Sequence, residues 1–61
     1  MKMMTYQQYE YIVDLATQAG KNDPEHYIHE ILGFPRSVNV IKKTTHQQAY
    51  EIISALCEEL E

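Results

Sequence analysis

Three histidines, one cysteine and nine carboxylates are the side chains of this 61-residue chain that could carry metal or covalent chemistry. His26 and His29 are three residues apart and Glu30 follows, so both rings would project from one side of a helix. A metal site would need further ligands, for which only His46 or Cys57 could serve. The spacing is neither H-E-x-x-H nor that of a zinc knuckle. No metal is expected, and both histidines read as ordinary surface residues. Cys57 stands between Leu56 and Glu58-Glu59, with no base to activate it and no third group to orient a base. A chain this short also has little room for a cleft. No catalytic residue, cofactor or enzymatic activity is expected.

The charges point to binding instead. Five basic residues face nine acidic ones, giving a net charge of -4. This balance disfavours strong direct binding to nucleic acid, which rests on lysine and arginine displacing counterions from phosphates. Yet Arg36, Lys42 and Lys43 all fall in the segment from Phe34 to Thr44. Such a local positive patch suits an acidic peptide, although lysines on a loop are commonly just solvated. The acids Glu10, Asp14, Glu51, Glu58 and Glu59 offer the opposite possibility, a small acidic inhibitor whose face occupies the basic groove of a host nuclease or DNA-binding protein. Of the five tyrosines, Tyr9 and Tyr27 fall on expected core faces. Tyr11 and Tyr50 fall off them and are available to a partner. A lone cysteine and the lack of any apolar run near ~20 residues imply a soluble, cytoplasmic protein with no membrane segment.

The elements that must position these side chains are helical. Thr5 with Gln8 forms a capping box. Tyr9, Ile12, Val13, Ala16 and Ala19 then line one face, with Leu15 at its margin, and Gly20 closes a helix over about residues 6 to 19. Asp23-Pro24-Glu25 starts a second helix, over about residues 24 to 32, with Tyr27, Ile28, Ile31 and Leu32 facing inward and Gly33 as the stop. A structured connector follows, with room for one helical turn, tucking Phe34, Val38 and Ile41 toward the core. Thr45 with Gln48 repeats the capping box, and Ala49, Ile52, Ile53, Leu56 and Leu60 define a helix over about residues 46 to 60. The expected architecture is all-α: a compact three-helix bundle forming a single small interaction domain. The methionines at positions 1, 3 and 4 carry no such signal.

Certain residues also resemble a known family. The sequence runs from Ile12-Val13 through an Ala16-x-x-Ala19-Gly20-Lys21 break to Ile31-Leu32-Gly33-Phe34. Arg36-Ser37-Val38 follow, and then the capped run Thr45, Gln48, Ala49, Ile52, Ile53 and Leu56. This order is similar to the C-terminal domain of phage single-strand annealing recombinases of the Red beta type, over nearly the entire chain. Thr44 stands where such domains usually have leucine, and the annealing core is absent. The resemblance implies a protein-docking domain rather than an annealing one. Its partners would be a 5'-3' exonuclease and the acidic, aromatic-ended tail of a single-stranded-DNA-binding protein. Arg36, Lys42 and Lys43, beside Tyr50 or Phe34, would then form the tail contact.

Overall fold

The computed structural model describes residues 1–61 and contains four helices: α1 (Tyr6–Gln18), α2 (Pro24–Leu32), α3 (Val40–Lys43) and α4 (His46–Leu60). The helix starts are fixed locally. The Thr5 hydroxyl accepts the Gln8 amide at 3.0 Å and the Gln8 side chain accepts the Thr5 amide at 3.0 Å. Thr45 and Gln48 repeat the exchange at 2.9 and 3.1 Å. Asp23 and Asn39 cap α2 and α3 with a single bond each, their side chains accepting the His26 and Ile41 amides. Each box satisfies amides that the first turn would otherwise leave without partners. Both glycines end helices with left-handed φ angles, 83° at Gly20 and 72° at Gly33. At Gly33 the Phe34 amide reaches back to the His29 carbonyl and the Gly33 amide to Glu30. A β-carbon would meet no atom within 4 Å at either glycine, so backbone conformation rather than space selects them.

Packing is dominated by α1 against α4, which run in the same direction. Their starts are joined by an isolated antiparallel bridge between Met3 and Thr45, in which the Met4 amide donates to the Thr44 carbonyl and the His46 amide to the Lys2 carbonyl, each at 2.8 Å. Their far ends are tied by the Lys21 Nζ to Glu59 Oε1 pair at 2.9 Å. Between these clasps lies one core of Met4, Ile12, Leu15, Ala16, Ile28, Val40, Ala49, Ile52 and Leu56. The radius of gyration is 10.6 Å, against about 10.5 Å for a compact chain of this length. No helix is long and apolar enough to cross a membrane.

The all-α expectation holds, but the helices number four rather than three, because the connector contains the single turn α3. Helix α1 also stops one residue early, at Gln18. Several inward assignments shift. Leu15 is fully in the core rather than at its margin, while Ile31 is 47% and Leu60 39% exposed. The connector packs against α2 and draws His29 inward, which rotates Ile31 outward. Leu60 is the last residue of α4 and is only partly covered. Val40, not Val38, is the connector's fully buried anchor, with Phe34 and Ile41 packed partly against the core. Met4 is likewise core, because the bridge to Thr45 fixes its backbone over the start of α4.

Thr44 is completely buried, and its hydroxyl has no hydrogen-bond partner. Such a group forfeits water without replacement, at a cost of about 1–3 kcal/mol. Thr44→Val keeps the branched shape and removes the orphaned oxygen. It is expected to stabilise the protein by about 1 kcal/mol, a rise in Tm of roughly 4–8 °C for a domain of this size. A thermal melt with an unchanged or lowered midpoint would contradict this account of the hydroxyl.

Candidate functional site

The densest polar cluster lies at the start of α2. Asp23, Glu25, His26, His29 and Arg36 line a small depression there of about 120 Å³. Contrary to the expectation of a surface residue, His29 is only 6% exposed. Its Nδ1 lies 2.8 Å from the Glu25 carbonyl oxygen and its Nε2 lies 2.9 Å from the Val38 carbonyl oxygen. Carbonyls only accept, so both contacts are hydrogen bonds only if both ring nitrogens carry hydrogen. The geometry therefore favours the imidazolium. The two carbonyl contacts raise the pKa of His29 above 6.5, Glu25 first and then Val38, and the Glu25 carboxylate adds to them. Burial and the Arg36 charge oppose this rise. The ring staples α2 to the connector.

His26 has the complementary arrangement. Arg36 Nη2 donates to His26 Nδ1 at 2.8 Å, and because a guanidinium only donates, Nδ1 must be the accepting nitrogen. Nε2 then carries the hydrogen and donates to Glu30 Oε1 at 3.1 Å. The same Arg36 nitrogen lies 3.9 Å from Asp23 Oδ2. With its ring nitrogens engaged in this way, neither histidine presents a free lone pair. No group of three or more His, Cys, Asp or Glu side chains is arranged to hold a metal ion. Cys57 is a half-buried free thiol packed against the core.

The residues expected to form a basic docking patch differ in their surroundings. Arg36 is turned into the cluster at α2. Lys21 is engaged by Glu59, and its ammonium also lies 5.1 Å from the centroid of the Tyr27 ring. Lys42 and Lys43 are exposed in α3 and form no ion pair. Their backbone is held by the buried Val40 and by the Asn39 cap. Phe34 is half-buried against the core, whereas Tyr50 stands 60% exposed on α4. None of the three main depressions is lined by Phe34, Lys42, Lys43 or Tyr50. The acids are also distributed. Glu10 and Asp14 share the outward face of α1 with Tyr6, Tyr9 and Tyr11. Glu51 and Glu58 are exposed on α4, and Glu59 is taken up by Lys21.

Sequence reasoning missed His29 as an internal staple, because its partners are main-chain carbonyls and one of them lies nine residues away. The only available signal was its position one residue from Ile28 on a short helix followed at once by a glycine stop. Comparison with protein families, with curated proteins and with solved structures yields no match to this chain.

The staple predicts a pH dependence. With the folded-state pKa raised, the contribution of His29 to stability is complete below about pH 6.5 and is lost as pH rises through the higher folded value. Glu25, Arg36, His26 and Asp23 surround the ring but flank it in the same way in His29→Gln. Urea midpoints measured between pH 6 and 8.5 should fall with rising pH in the natural protein, and His29→Gln should lose most of that slope. Parallel profiles would show that the ring is not held as an imidazolium.

Proposed function

We propose that this chain is a non-enzymatic protein-docking module of phage recombination or replication, as its resemblance to the C-terminal domain of Red beta-type recombinases implies. Its partner is the acidic, aromatic-ended tail of a single-stranded-DNA-binding protein or the surface of a 5'-3' exonuclease. The observation that carries this reading is the state of Lys42 and Lys43. Two adjacent lysines stand exposed and unpaired on a chain with net charge -4, while Lys21 and Arg36 are both engaged with acids. The helical turn that presents them is fixed from below by Val40, so binding need not order the backbone. Tyr50 and the half-buried Phe34 are the candidate aromatic contacts for the end of the tail. Nucleic acid is not a partner in this reading, since the surface outside α3 is mainly acidic.

The test is a titration of the isotope-labelled protein with an acidic, aromatic-ended peptide, with single-stranded DNA as the control. Amide shifts should cluster around Lys42 and Lys43 with the peptide alone. The double variant Lys42→Glu, Lys43→Glu should keep its helical circular dichroism and bind the peptide about tenfold more weakly or worse. Undiminished affinity in that variant would remove the lysine pair from the site.

A further inference from the structure

The most aromatic exposed surface lies elsewhere, on α1. Tyr6, Tyr9, Tyr11, Glu10, Val13 and Asp14 border an open depression of about 760 Å³. Tyr6 is 62% and Tyr11 49% exposed. Tyr9 is half-buried against Tyr6, with ring centroids 6.2 Å apart and planes inclined by 40°. Advancing about 100° per residue sets Tyr6 and Tyr9 on one flank and Tyr11 on the other, with Glu10 and Asp14 between. The result is an acidic line with aromatic margins. No cation of this chain borders it, and neither Glu10 nor Asp14 has an ion-pair partner.

The chemistry restricts what can cover this face. A nucleic acid or an acidic peptide would bring like charge against both carboxylates. A wholly apolar surface would strip them of water with nothing in return. Guanidinium and ammonium groups answer both features, because they pair with carboxylates and are attracted to the faces of tyrosine rings. We propose that the outward face of α1 docks a basic segment of a protein partner, with its arginines or lysines set against Glu10 and Asp14 and over Tyr6 and Tyr11. This surface is separate from the lysine pair of α3 and selects the opposite charge, so the module can hold two unlike partners. It also differs from a generally acidic face, because the carboxylates of α4 have no part in it.

A short peptide of alternating arginine and alanine, titrated into the full chain at about 0.15 M salt to screen diffuse attraction, provides the probe. Shifts should centre on Tyr6, Glu10, Tyr11 and Asp14. The variant Glu10→Gln, Asp14→Asn and, separately, Tyr6→Ala, Tyr11→Ala should each bind at least about fivefold more weakly, which is the sum expected of modest surface ion pairs or cation–ring contacts. Glu51→Gln, Glu58→Gln makes the same change in net charge on α4 and should alter affinity by less than about twofold. Equal losses in the α1 and α4 carboxylate pairs would mean that the peptide senses bulk charge, and the proposal would fail. It would fail equally if the tyrosine variant bound normally or if the peptide did not bind at all. Titrating the acidic peptide into the same variants keeps the lysine site distinct, since its affinity should not fall in any of them.

Discussion

Two helices that run parallel cannot be joined by a tight turn, and α1 and α4 run parallel. After Gln18 the chain must return about 20 Å, the length of α1, before α4 can begin alongside. The α2 helix, the connector and α3 make that return, and their internal contacts determine whether the long helices can meet. Gly20 and Gly33 set the changes of direction, His29 ties α2 to the connector, and Val40 seats the connector in the core. The Met3 to Thr45 bridge then closes the circuit by holding together the two helix starts. The His29 cluster and the pair Lys42 and Lys43 both sit on this return path.

A core of nine buried apolar residues is small, so polar groups near it carry unusual weight. His29 and Thr44 are the buried polar residues, and they behave in opposite ways. The His29 ring, as an imidazolium, is satisfied at both nitrogens and converts its burial into a cross-connection. The threonine hydroxyl is satisfied nowhere, so its burial is a net loss, placed at the junction between α3 and α4. The first arrangement adds specificity to the return path, and the second leaves a weak point at its end.

What could be read in the sequence followed the range of the interactions. The capping boxes at Thr5-Gln8 and Thr45-Gln48 involve residues three apart, and the helix starts could be placed from them. Gly20 and Gly33 marked the helix ends because only local backbone conformation is at stake. The contacts of Arg36 with His26 and Asp23 could not be read, because they depend on where the chain turns after Gly33. Met4 and Val40 looked unremarkable for a related reason. Each is buried only because a segment remote in sequence crosses it. Tyr11 and Tyr50 were legible as exposed, since helical periodicity alone carries them off the apolar stripe. How far they and the lysines contact partners is a question of surfaces, which hydrophobic patterning does not encode.

The parallel pairing of α1 and α4 also polarises the molecule. In an antiparallel pair the peptide dipoles of neighbouring helices largely cancel, whereas here they add. Neither helix carries an acid in its first turn or a base in its last, so side chains within those turns do not offset the sum. The end at Met3 and Thr45 is therefore a positive pole. The end at Glu58, Glu59 and Glu61 is a negative one, relieved only by Lys21. The two ends of the molecule thus carry fields of opposite sign, each confined to about the first or last turn of the helices and weakened by salt.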